Sequence, residues 1–170
     1  MKIEIRILEQ HDDRSTFRSG NEALDLYLHR YAGQNQFRHH IGVTYVAAAE
    51  DRILGFATVT PASLDADALP SGKRMGPYPV PVLRVARLAV DERVREAGIG
   101  RALLRFCLEL ALEMERKLGC AGVVVDAKNE SVDFYTGYGF VVLDVLEGRS
   151  RVDATTVSMF LPLGSVPRKG

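Results

Sequence analysis

The 170-residue sequence predicts a single α/β domain with a mixed sheet flanked by helices. Two observations lead to this class. Period-two strand patterns alternate with helix patterns that step by three or four residues, in the order strand, helix, two strands, strand, helix, strand, helix, two strands. Apolar residues are 46% of the chain and charged residues 26%, a balance that suits one sizeable core spanning residues 1–170.

Each element has its own signal. IEIRIL at residues 3–8 alternates apolar and charged side chains, as a half-buried strand does. Ser19-Gly20-Asn21-Glu22 has the form of a capping box, and Leu24, Tyr27, Leu28 and Tyr31 recur behind it at helical spacing, so a helix is expected from about Glu22. VTYVAAAE and ILGFATVTPA, separated by Asp51-Arg52, read as a hairpin. Between Ser63 and Pro81 the chain turns rich in Pro, Gly and Asp, which predicts a long loop. VLRVARLAV then fits a central strand buried on both faces. Ile99, Leu103, Phe106, Leu110 and Met114 mark the apolar stripe of a helix that Gly119 stops. AGVVVDA is a second buried strand, a short helix follows from Glu130 to near Gly139, and FVVLDVL and TTVSMFLPL close the sheet.

Composition excludes several classes. No apolar run approaches the roughly 20 residues of a membrane span, and Glu4, Arg6 and Glu9 break up any signal-peptide core, so the chain is expected in the cytosol. Cys107 and Cys120 stand in apolar context, away from metal-ligand spacing; they read as buried free thiols, and no metal site is expected. Bases and acids balance at 22 each, but unevenly: residues 73–105 hold eight bases (Lys73, Arg74, Arg84, Arg87, Arg93, Arg95, Arg101, Arg105) against three acids (Asp91, Glu92, Glu96). Such a segment is either a solvated surface or a site for a phosphate-rich ligand.

The stretch VARLAVDERVREAGIGRALL carries the chemistry. Gly98 and Gly100 open a helix, with Arg95 and Arg101 beside them. A helix N-terminus offers free N–H groups and partial positive charge to phosphate, and glycines let the phosphate come close. An ordinary turn uses glycines too. A Walker loop is excluded because no Gly-Lys-Ser/Thr follows, and the dinucleotide fingerprint fails at Leu103, where a third Gly or Ala belongs.

What remains is Arg-x-x-Gly-x-Gly, preceded by ARLAVD and followed some thirty residues on by DFYTGYGF. This arrangement resembles the pyrophosphate-binding motif of the GNAT superfamily of N-acetyltransferases. The likeness extends over Phe17-Arg-Ser-Gly20, Leu24-Asp25, Tyr27-Leu28, VTYV, YPVPVLRVARLAVD and VVVDAK, and is closest to the branch containing toxins of bacterial toxin–antitoxin pairs. Between VVVDAK and the Tyr the chain is one residue shorter than the family spacing.

The resemblance implies a mostly antiparallel sheet splayed at its central strands, an acetyl-CoA motif at about 85–105 and a C-terminal motif at about 121–143. It implies acetyl-CoA on Arg95, Gly98, Ile99, Gly100 and Arg101, with Leu88, Ala89 and Val90 pairing to the pantetheine arm, and Asn129 as a further coenzyme contact. It implies aminoacyl-tRNA as acceptor and a ribbon-helix-helix antitoxin as partner. A small amine or a protein amine as acceptor stays open, as do a homodimer and an inactive coenzyme-binding module that works through a partner.

Acetyl transfer needs a neutral amine, a stabilised oxyanion and a proton for the departing thiolate. An α-amino group titrates near 8 and needs little help to lose its proton. Nothing singles out a base among Glu92, Asp126, His39 and His40. Backbone N–H groups from Leu88 to Val90 suit the oxyanion. Tyr135 is the candidate acid, because a phenol near pKa 10 carries its proton at neutral pH. Core packing in a short helix is the alternative for Tyr135 and the expectation for Phe134.

Overall fold

The computed structural model describes residues 2–69, 78–143 and 155–166. Seven strands form one sheet in the order β1-β2-β3-β4-β5-β7-β6. They are β1 (Glu4–Ile7), β2 (Val43–Ala49), β3 (Arg52–Leu64), β4 (Val80–Val90), β5 (Gly122–Lys128), β6 (Val141–Val142) and β7 (Thr156–Pro162). The helices are α1 (Glu22–Leu26), α2 (Ile99–Lys117) and α3 (Val132–Thr136). Among the described residues no helix is long and apolar enough to cross a membrane. The chain divides into two compact units, residues 1–60 with 85–109 and residues 61–84 with 110–170.

In the first unit β2 pairs antiparallel with β1 and with β3, the second pairing shifting register between Ala47 and Ala48. Phe17, Tyr27, Leu28, Val46 and Phe56 are buried together with Ala89 of β4. The Phe56 ring meets Phe17 edge-on at 5.5 Å and lies nearly parallel to Tyr27 at 6.4 Å. Alternation along β3 sends neighbouring residues to opposite faces. Phe56 therefore faces the rings of Phe17 and Tyr27, whereas an added Cβ on Gly55 would lie 2.9 Å from Ile99 and 3.0 Å from Leu103 of α2.

The first helix starts at Glu22 as the sequence predicts, but its cap differs. Asn21 Oδ1 accepts from the Leu24 N–H at 3.1 Å, while the Ser19 hydroxyl donates to Asp25 at 2.6 Å. Beyond Leu26 the helix widens: the Ala32 N–H donates to Tyr27 O and the His39 N–H to Gln34 O, both five residues back.

The stripe of α2 also departs from expectation. Ile99, Leu103, Leu104, Cys107 and Ala111 are buried, while Phe106, Leu110 and Met114 are only half-buried. The buried face thus runs through Cys107 and Ala111, a choice that apolar spacing does not reveal. Phe106 instead packs on Tyr45 at 4.7 Å. Cys107 and Cys120 are free and buried, and burial pushes the Cys107 thiol up to about 12.

In the second unit β5 and β7 pair antiparallel from Gly122↔Pro162 to Lys128↔Thr156, with β6 on the far side of β7. Val80, Val82, Val124, Leu143 and Phe160 form its core with Leu69. The predicted loop begins later than composition suggests, because β3 runs to Leu64; Lys73 and Arg74 lie outside the described residues.

One buried charge holds the first unit's central turn. Asp91, fully buried at the end of β4, accepts from Arg93 N–H at 3.0 Å and from Arg93 Nε and Nη2 at 2.9 and 2.8 Å. It also accepts from the Arg18 N–H at 3.3 Å. These bonds, with that of the Arg93 side chain foremost, hold its carboxyl near 2, below the ordinary 3.8. A depressed carboxylate contributes stability that is complete above its unfolded pKa and is lost as pH falls through the folded one. For Asp91 that window runs from about pH 4 down to about pH 2, and the contribution is on the order of 2 kcal/mol. Asp91→Asn should lower stability at pH 7 by about that amount in urea denaturation, with the gap to the native protein closing between pH 4 and pH 2; a gap that stays constant over that range would contradict the role.

Candidate active site

Between β4 and α2 the chain makes two short helical turns within Glu92–Ala97, kinked at Val94 (φ −131°) and closed by Gly98 at φ 78°. That positive φ is why a glycine stands there, since a side chain in the left-handed region is strained. An added Cβ at Gly98 would meet no atom within 4 Å, so the backbone is open on that side. The first bond inside α2 runs from the Ala102 N–H to Gly98 O at 3.1 Å. The N–H groups of Ile99 and Gly100 precede it and have no partner within the helix. No acid sits in the first turn of this 19-residue helix. Residues 92–97 line an open depression of about 590 Å³. The free N–H groups, the helix dipole and the open backbone at Gly98 are features that suit an anionic ligand such as a diphosphate.

The turn is pinned from the N-terminal loop. Asp91 N–H donates to Leu54 O and Glu92 N–H to Arg18 O, both at 2.8 Å. Arg93 Nη2 reaches Thr16 O at 3.1 Å, and Arg95 Nη2 reaches Ser19 O at 2.6 Å. Gly20, at φ 90°, lies so near that a Cβ on it would stand 2.7 Å from Arg95 Nη2. Sequence reading finds Arg95 but misses Asp91 and Gly20. The Asp-x-Arg spacing of Asp91 and Arg93 is a local cap signal that could have exposed the first; Gly20 has none, because its neighbour is 75 residues on.

Of the sequence-predicted residues, Leu88, Ala89, Val90, Arg95, Gly98, Ile99, Gly100 and Arg101 fall in the first unit. Leu88 and Val90 are half-buried, Ala89 is buried, and Arg95 and Arg101 are exposed.

Asn129 and Tyr135 belong to the second unit. Asn129 is exposed just beyond β5, its N–H donating to Thr155 O at 3.3 Å. Tyr135 is 4% exposed in α3. Its ring packs edge-on against Phe134 at 5.1 Å and Phe140 at 5.5 Å. Phe134 is half-buried and also touches Tyr138.

Of the candidate bases, Glu92, His39 and His40 fall in the first unit and Asp126 in the second. Asp126 accepts from Arg84 Nε at 2.8 Å and from its Nη2, Glu92 is exposed, and His39 and His40 are exposed beyond the first helical stretch, with His39 Nε2 3.3 Å from Gln34.

A family model described as an acetyltransferase (GNAT) domain matches residues 40–142. A tRNA-acetylating toxin of Mycobacterium tuberculosis is 31% identical over 139 residues, 81% of this chain and 83% of its own. The toxin AtaT, solved in complex with acetyl-methionyl-tRNAfMet, matches with a TM-score of 0.82 and 25% identity over 96% of each chain. AtaTR bound with AcCoA matches at 0.78 and 27% over 96% and 95%. An AtaT mutant bound to the C-terminus of the antitoxin AtaR shares the fold, at 0.77 and 23% over 97% and 94%. Fold, motif and relatives agree that the chain belongs to the GNAT acetyltransferase family, whose acyl donor is acetyl-CoA.

Proposed function

We propose that this acetyltransferase is the toxin of a toxin–antitoxin pair and acetylates the amino group of aminoacyl-tRNA. The observation that carries the reading is the 31% identity to a tRNA-acetylating toxin, which runs over four-fifths of the chain. The pyrophosphate of acetyl-CoA rests on the N–H groups that open α2, with Arg95 and Arg101 beside it and Asn129 as a further contact. The backbone of Leu88 to Val90 pairs with the pantetheine arm and supplies N–H groups to the oxyanion. A ribbon-helix-helix antitoxin holds the enzyme inactive, and the cytoplasm, where charged tRNA is found, is its place of action.

In this reading the acceptor's amine attacks the thioester carbonyl carbon, its lone pair forming the new C–N bond. The carbonyl oxygen takes negative charge, the C–S bond then breaks, and the thiolate of CoA leaves. An α-amino group is partly neutral at physiological pH, so water suffices to remove its proton. Tyr135 returns a proton to the thiolate. Its burial between two phenylalanine rings supports a fixed phenol, and Tyr135→Phe keeps both ring contacts while removing the donor. Single-turnover acetylation should fall about 10²- to 10⁴-fold with little change in acetyl-CoA affinity; an unchanged rate would make Tyr135 a packing residue only.

The acceptor is tested by offering labelled acetyl-CoA together with charged tRNA, deacylated tRNA or free amino acids, at low and high salt. Label should appear on charged tRNA alone and decline as salt rises, because phosphate contacts release counterions. Equal labelling of free amines would assign the chain to small-molecule acetylation.

A further inference from the structure

Arg87 occupies a position that a cation rarely takes. On β4 it shares a strand face with Val85, 1% exposed, and Ala89, 5% exposed. Ala89 lies in the same buried cluster as Tyr27 and Phe56. Arg87 itself is half-buried, and its guanidinium carbon sits 3.8 Å above the centre of the Tyr27 ring. No carboxylate pairs with it among the described residues. A charge on a core-facing position is costly unless something compensates it, and among the described residues an aromatic face does so.

The platform is built for that contact. Tyr27 is 5% exposed, lies nearly parallel to Phe56, and receives a hydrogen bond at its hydroxyl from Asn35 Nδ2 at 3.5 Å. It also stands where the helix widens, its carbonyl taking the N–H of Ala32 five residues on, a distortion common at functional positions. The ring face holds the charge in place, and a guanidinium so held can offer its planar fork of N–H donors to a ligand. Arg87 is on the Phe56 side of the strands, whereas α2 packs on the Gly55 side. The coenzyme's pyrophosphate, placed at the α2 N-terminus, is thus served by other groups.

From this geometry we propose that Arg87, held over the Tyr27 ring, binds a phosphodiester oxyanion of the acceptor RNA. The inference rests on the aminoacyl-tRNA reading and adds the residue that grips that substrate.

Arg87→Gln and Arg87→Lys are measured beside the native enzyme for coenzyme affinity by calorimetry and for kinetics with charged tRNA across a salt series. The Gln variant should raise KM for charged tRNA about tenfold or more, the scale of one lost hydrogen bond to a charged group. It should also reduce the slope of log affinity against log salt by about one. Acetyl-CoA affinity and melting temperature should stay near native values. Lys keeps the charge but not the planar fork, so it should restore the salt slope and only part of the KM. An unchanged KM and slope in a folded Gln variant, or a loss confined to acetyl-CoA affinity, would overturn the proposal. Failure of the native enzyme to label charged tRNA would instead remove the reading on which it rests.

Discussion

The buried carboxylate of Asp91 is the constraint on which the first unit's chemistry depends. A carboxylate without solvent must have its lone pairs filled, and here the donors come from two distant places in the chain: Arg93 in the turn and the backbone of Arg18. Satisfying one charge therefore fixes the course of the turn and of the N-terminal loop together. Leu54 O and Arg18 O receive N–H groups from the same corner. With that corner set, Gly98 can take its left-handed conformation and α2 can begin with its donors unobstructed.

Two adjacent residues of β3 divide the labour of the sheet. Gly55 has no side chain, which lets Ile99 and Leu103 approach and brings α2 onto that face. Phe56 sends a large ring to the other face, where Tyr27 and then Arg87 stack in succession. One face is shaped by the need for a close helix and the other by the need for an aromatic platform. On the proposed function the first face serves the acyl donor and the second the acceptor, so a single strand alternation separates the two substrates' phosphates.

The parts legible in the sequence were those encoded locally. Element order followed from periodicity, and Arg-x-x-Gly-x-Gly followed from the need for close backbone approach at a helix start. The stripe of α2 was misassigned at Phe106, Leu110 and Met114, which are half-buried where Leu104, Cys107 and Ala111 are buried, because steps of three and four residues fit more than one stripe, and only the packing decides among them. The cap passed from Ser19 to Asn21 because Ser19 bonds Asp25 instead, a tertiary choice made within one turn. Asp91 was missed although its spacing to Arg93 carries a local cap signal. Gly20 and Arg87 were invisible for a different reason: each matters through a neighbour more than 30 residues away, namely Arg95 and Tyr27.

The central claim is that the turn fixed by Asp91 presents the backbone of α2 to acetyl-CoA. Hydrogen–deuterium exchange at single-residue resolution, with and without acetyl-CoA, tests it most directly. Helix-opening amides lack intrahelical acceptors, so in the free protein those of Ile99 and Gly100 should exchange quickly. On addition of acetyl-CoA they should become protected, while α2 beyond Ala102 changes little. Fast exchange at Ile99 and Gly100 in the saturated complex, with protection appearing elsewhere, would contradict the account.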